Sequence, residues 1–117
     1  MSILGRQRTT RDKAELHRVV MPFLLAMYQE FKDFSKKKPD AALAKNKMGV
    51  ANRLLEKCRA VLESEASLQF LDLLDEDDVP QNSDVILMLS QYVAAMEQFK
   101  ETYYGWDGDE DTWFVSD

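Results

Sequence analysis

With 117 residues, the chain is long enough for one domain built around one hydrophobic core. Hydrophobic residues make up 45% of it and charged residues 31%, a balance typical of a folded globular chain and not of a disordered one. No apolar run approaches the roughly 18 residues that a membrane span needs, and no signal-peptide pattern is present, so we expect no membrane partner. The single cysteine cannot form an internal disulfide, which favours a cytoplasmic location.

The net charge of -6 hides a steep asymmetry along the chain. Residues 1–60 carry 14 Lys and Arg against 6 Asp and Glu, whereas residues 61–117 carry 1 against 15. Such a dipolar chain allows three arrangements: neutralisation within the fold, head-to-tail pairing with a second copy, or two charged faces for two partners. The sequence leaves these three open.

Two long amphipathic helices are predicted from apolar residues recurring at steps of three and four. After a basic, flexible arm over residues 1–9, the first helix covers about residues 10–35 and continues through Pro22. The cleanest pattern begins after Asn82 or Ser83 and ends at Gly105, which is placed to stop a helix. The two apolar stripes consist of Leu16, Val20, Phe23, Met27, Phe31 and Phe34, and of Val85, Leu89, Tyr92, Met96, Phe99 and Tyr103.

Two further helices are predicted between them. Pro39 and Asp40 suit the first turn of a helix that runs to about Glu63, and its apolar stripe includes Cys58, which we expect to be a buried structural thiol. A change of phase near Ser64 predicts a short helix over about residues 67–76. The predicted fold is therefore an all-α, up-and-down bundle of about four helices in a single domain over residues 1–117, with residues 106–117 as an acidic-aromatic tail.

Two features favour partner binding. The first helix is apolar over more than the arc that one-sided burial needs, because Leu25 and Tyr28 flank its stripe. The excess could be buried deeper within the bundle or against a second copy, and the homodimer is the interpretation we prefer. The tail carries Trp106, Trp113 and Phe114 around an acidic run, so its aromatic residues either dock on the bundle or form a short peptide offered to a partner.

A basic set offers possible phosphate contacts if the arm and the first helical turn lie together. It consists of Arg6, Arg8, Arg11, Lys36, Lys37 and Lys38. No aromatic residues are interleaved with these cations, so nucleic-acid binding is the second hypothesis.

A third hypothesis comes from the only histidine, His17, which follows Arg11 with five residues between them. This spacing resembles the R-x(4-6)-H signature of the HEPN ribonuclease family, helical bundles in which Arg and His of two protomers flank the scissile phosphate. The resemblance covers two residues and implies RNA cleavage by a dimer. The alternative, non-catalytic interpretation is that His17 is a surface histidine beside Arg18.

No metal or cofactor is predicted. One His and one Cys cannot make a zinc cluster, and the acids from Asp107 to Asp111 open like an EF-hand loop but place Thr112 where that loop needs glycine. The sequence therefore predicts a non-enzymatic, helical protein-interaction module (an adaptor, regulator or inhibitor) that forms a homodimer.

Overall fold

The computed structural model describes residues 7–75, 77–78 and 80–116, and these residues are mostly helical. Three α-helices cover Arg11–Lys37 (α1), Lys45–Val61 (α2) and Asn82–Tyr103 (α3); a 3-10 turn covers Ala66–Phe70, and a hairpin follows with strands Tyr104–Trp106 (β1) and Asp111–Trp113 (β2). Within the described ranges there are thus three α-helices instead of the four predicted, and a small sheet where none was predicted. Most of the predicted N-terminal arm, including Arg6, lies outside the described residues.

The first predicted helix is confirmed as one continuous element, α1. Its N-cap is Thr10, whose side-chain oxygen accepts a hydrogen bond from the Lys13 N–H (3.1 Å), an arrangement that stabilises a helix by about 1 kcal/mol. Pro22 lies inside α1 without ending it, because the apolar face on both sides of the proline packs into the same core.

The start of α2 differs from the prediction. The helix begins at Lys45, later than the start near Pro39 that the sequence favours. The residues before it are used for pairing with the chain that enters α3, where the Leu43 N–H donates to the Pro80 carbonyl (3.0 Å). Long-range backbone bonds therefore replace the first turn of the predicted helix.

The predicted helix over residues 67–76 is wrong. Only the 3-10 turn Ala66–Phe70 forms there, and Leu71 is already extended, with φ -112° and ψ 123°. Leu71 and Leu74 are both buried in the core. The apolar residues that suggested a helix do belong to the core, but they lie on an extended segment.

Side chains of the neighbouring helices hold this extended segment by its backbone. Asn52 on α2 donates to the Leu74 carbonyl and accepts from the Leu74 N–H, both at 2.8 Å. Two more bonds act on the same segment, from Arg59 to the Leu71 carbonyl and from the Tyr92 hydroxyl to the Asp72 carbonyl. These partners satisfy the backbone groups that a helix would have satisfied internally.

The core forms where α1 packs against both α2 and α3. Its largest fully buried side chains are Leu24, Met48, Leu55, Leu62, Leu89, Tyr92, Met96 and Phe99. Cys58 is a free, fully buried thiol, as predicted, and burial raises its pKa to about 12. The thiol is therefore part of the core packing and is protonated at neutral pH.

Candidate partner-binding surfaces

The acidic run predicted as a solvated tail builds the turn of the hairpin. Gly108 has φ 107°, a value that side chains with a Cβ rarely adopt. The Asp107 carboxylate accepts hydrogen bonds from the N–H groups of Asp109 (2.8 Å) and Glu110 (2.9 Å). These backbone bonds, the one from Glu110 first, lower the pKa of Asp107. The acidic run therefore stabilises the turn of the hairpin. Strands β1 and β2 pair antiparallel on either side of it.

The hairpin places Trp113 over the only histidine. The His17 ring stacks on Phe99 at 5.6 Å between centroids and meets Trp113 edge-on at 5.2 Å. Its Nε2 lies 2.8 Å from the Met96 carbonyl oxygen. Desolvation by burial is the main cause that lowers the pKa of His17, against the opposing effect of the Met96 bond. A neutral imidazole that donates to this carbonyl suits such surroundings.

The expectation of a surface histidine is wrong, since His17 is only 2% exposed. Its position in α1 explains the burial: Val20 and Leu24 follow it by three and seven residues, so all three lie on the core side of the helix. A HEPN-like role would need His17 beside a phosphate at the surface. The imidazole is instead covered by Trp113 and bonded to backbone, so the two-residue resemblance gains no support from the geometry.

The segment that follows β2 also docks on the bundle. Phe114 is buried, and its N–H donates to the Tyr103 carbonyl (2.7 Å) where α3 ends. Thr9 then bonds on both sides of it, donating to the Phe114 carbonyl (2.9 Å) and accepting from the Ser116 N–H (3.1 Å). Of the two alternatives for the aromatic residues of the tail, docking on the bundle is therefore the one observed for Trp113 and Phe114. Thr9, predicted as part of a flexible arm, is buried and paired with this segment.

A groove of about 760 Å³ opens between α1, α3 and the hairpin, and we call it the hairpin groove. Its volume lies in the range of about 300–1,000 Å³ typical of ligand sites. Apolar and aromatic side chains form much of its lining, namely Met21, Pro22, Leu25, Tyr104 and Trp113, with His17 beneath them. Its charged residues are two cations, Arg18 and Lys100, and two acids, Glu97 and Glu101.

Three of the five predicted partner-binding residues lie at this groove. Leu25 and Trp113 line it, and Leu25 remains exposed. Trp106 lies beside it on β1, two residues from Tyr104 and thus on the same face of the strand. Trp106 is 59% exposed. The structure therefore brings together one residue of helix one and the tryptophans of the tail.

The other two predicted residues are placed elsewhere. Phe114 belongs to the buried docking contact and offers little surface to a partner. Tyr28 is partly buried, and the Lys32 ammonium lies 4.7 Å from its ring centroid. Neither lines the hairpin groove.

A second apolar surface lies on the opposite side of α1, where that helix meets α2. A cleft of about 290 Å³ there is lined by Met27, Phe34 and Val50, with Lys47 lying 4.8 Å from the Phe34 ring centroid. Helical spacing continues the surface in both directions. It comprises Val19, Phe23, Met27, Glu30, Phe34 and Lys37 on α1 and Lys47, Val50, Leu54 and Lys57 on α2, and we call it the α1–α2 face.

The α1–α2 face is more apolar than a solvated helix surface requires. Phe23 is 63% exposed, and Val19, Phe34 and Val50 are exposed as well. Exposed apolar groups that adjoin one another in this way mark interaction sites. The sequence pattern placed Phe23 and Phe34 in the core stripe of helix one, and the structure instead exposes both of them on this surface. The α2 half was missed, although the steps of three, four and three from Lys47 through Val50 and Leu54 to Lys57 are visible in the sequence.

The predicted phosphate-binding set is not brought together. Arg6 lies outside the described residues, and Arg8 donates to the Val115 carbonyl (3.2 Å). Arg11 begins α1, whereas Lys36 and Lys37 end it and Lys38 follows. A helix of 27 residues is about 40 Å long. Arg8 and Arg11 thus lie near one end of α1, and the three lysines lie near the other.

The chain matches no protein-family model, no curated protein and no solved structure. Among the described residues, no helix combines the length and the apolar character that crossing a membrane requires. The same residues contain no group of three or more His, Cys, Asp or Glu side chains arranged to hold a metal ion.

Proposed function

We propose that this protein is a non-enzymatic protein-interaction module that forms a homodimer through the hairpin groove. The observation that carries the proposal is the position of Trp106, a largely exposed indole beside an apolar groove that it does not line. In a two-fold dimer the same patch meets itself, so each Trp106 would enter the groove of the other copy. Tryptophans buried in this way commonly dominate the binding energy of interfaces.

The charges of the groove support self-association. The lining contains as many cations, Arg18 and Lys100, as acids, Glu97 and Glu101, and Arg18 is also paired with Glu15 on α1. A surface that pairs with itself must carry charges that complement their own two-fold image, because like charges brought together at an interface are destabilising. A groove with two cations and two acids has no net charge to repel its own image, whereas a groove of one sign would.

The chemistry of the two reactive side chains favours a role through contacts. His17 is bonded to backbone under Trp113, and the Cys58 thiol is buried with a raised pKa. A nucleophile or general base must reach its substrate. A cytoplasmic location fits the proposal, since a free buried thiol needs no oxidising compartment.

Sedimentation equilibrium at micromolar concentration tests the dimer. The wild-type chain should return about twice its own mass. Leu25→Ser and Trp106→Ser should each shift the equilibrium towards the monomer, because each removes apolar area from the proposed interface.

Leu87→Ser is the matched control, since Leu87 is also an exposed leucine and lies near the start of α3, away from the groove residues at the end of that helix. It should leave the mass unchanged. A wild-type chain that remains monomeric over the whole concentration range would overturn the homodimer, and equal effects of Leu25→Ser and Leu87→Ser would move the interface away from the groove.

A further inference from the structure

The α1–α2 face differs from the hairpin groove in its charge. Its cations Lys37, Lys47 and Lys57 are all exposed, and Glu30 is its one acid. The face therefore has a net positive charge, although the protein as a whole has a charge of -6. A local field opposite in sign to that of the whole molecule selects partners by charge as well as by shape.

From this geometry we infer that the α1–α2 face binds an acidic amphipathic helix of a partner protein. The apolar residues form a shallow trough along two neighbouring helices, with Phe23 and Phe34 on one wall and Val50 on the other. A helix laid along such a trough inserts residues at i, i+3, i+4 and i+7. Acidic residues flanking that apolar stripe would meet Lys47 and Lys57.

Docking on this face would remove exposed apolar side chains from contact with water. Phe23, Phe34 and Val50 are each at least half exposed, and apolar area removed from water contributes roughly 25 cal/mol per Å². The positions of the lysines then determine that the partner helix should carry negative charge. Lys47 already lies over the Phe34 ring, so its ammonium is held at the edge of the trough and not far out in solvent.

A second copy is a poorer occupant of this face. Two-fold pairing would set the face against its own image, so that cations would meet cations around the apolar centre. The inference rests on the proposed function in one respect, that the chain acts through protein contacts. It uses a separate surface, so a homodimer through the hairpin groove leaves the α1–α2 face open.

Two designed peptides provide the probes. Each is a dye-labelled amphipathic helix with leucine at the docking positions; one has glutamate at the remaining positions and the other has lysine. Fluorescence anisotropy with the full chain should show at least tenfold tighter binding of the glutamate peptide. Non-specific attraction to a protein of net charge -6 would produce the opposite preference, so this result would point to the local field of the face.

Charge reversal then locates the site. The double variant Lys47→Glu with Lys57→Glu should weaken the glutamate peptide at least tenfold and strengthen the lysine peptide. The matched control, Lys32→Glu with Lys45→Glu, changes the net charge equally, with one substitution on α1 and one on α2. Lys32 and Lys45 lie five and two residues from Lys37 and Lys47, and such spacings point away from a shared face.

A third variant, Phe23→Ser, should weaken both peptides, because it shortens the apolar trough. Phe23, Lys45, Lys47 and Lys57 are exposed, whereas Lys32 is partly buried beside Tyr28, so circular dichroism is recorded for every variant to check that the fold is unchanged. Equal binding of the two peptides, absence of binding, or equal effects of the two charge-reversed variants would each overturn the inference. The sedimentation mass of the wild-type chain decides the homodimer independently of these outcomes.

Discussion

Phe114→Ala should destabilise the protein strongly, whereas Trp106→Ala, eight residues earlier in the same segment, should not. Phe114 is 9% exposed and Trp106 is 59% exposed. Truncation of a buried phenylalanine costs about 3–5 kcal/mol through lost burial and the cavity left behind. Phe114 lies at the edge of the bundle and keeps slight exposure, so we expect the lower end, about 3 kcal/mol. Surface truncations usually stay within about 0.5 kcal/mol.

Thermal melts followed by circular dichroism measure the difference. At roughly 4 °C per kcal/mol for a chain of this size, Phe114→Ala should lower the Tm by about 12 °C and Trp106→Ala by only a few degrees. Both variants are melted at a concentration low enough for the monomer to dominate, because dimerisation would otherwise stabilise one of them more than the other. Small and equal shifts would refute the docking of the C-terminal segment.

Three further residues, each wholly or partly buried, give testable outcomes. Because burial raises the pKa of Cys58 to about 12, a thiol reagent should react far more slowly with the folded protein than with the denatured one, and folding stability should decline as the pH rises above about 9. Because burial lowers the pKa of His17 from its ordinary 6.5, the unfolded chain binds a proton that the folded chain does not; the free energy of unfolding, followed by urea titration, should fall as the pH drops below about 6.5, and His17→Gln should flatten that decline. Asn52→Ala removes both bonds to Leu74 and should cost about 2–3 kcal/mol in urea denaturation, against little change for the exposed Asn46→Ala.

Local periodicity predicted the elements whose stability is local. In α1 and α3 the apolar residues recur at helical spacing and the first turn carries its own acidic residue, Asp12 or Asp84. Helix formation and core burial then favour the same conformation. Both helices could be predicted for this reason, even with Pro22 inside the first.

The extended segment after the 3-10 turn could not be predicted in this way. Its conformation depends on Asn52, which recognises the backbone of Leu74 across 22 positions of sequence. From sequence alone, a polar side chain in the middle of a helix suggests a solvent-exposed residue, because its distant hydrogen-bond partner is not known. The helix predicted there failed because tertiary hydrogen bonds outweighed local preference.

The hairpin had a local signal that was overlooked. Asp107 followed by Gly108 is a strong turn signal when aromatic residues flank it, and Trp106 and Trp113 do so on either side. The run of acids suggested solvation instead. The hairpin groove depends on this turn, so recognising the turn would also have indicated that helix one and the tail form one surface.

The homodimer through the hairpin groove is tested most directly by isotope-filtered NMR on a sample that mixes labelled and unlabelled wild-type chains. Only contacts between different copies survive the filter. The proposal predicts intermolecular NOEs from the Trp106 indole to the side chains of Leu25 and Met21. Filtered NOEs that arise solely from Phe23, Phe34 or Val50 would place the self-contact on the α1–α2 face, and a mixed sample with no intermolecular NOE at millimolar concentration would contradict the homodimer itself.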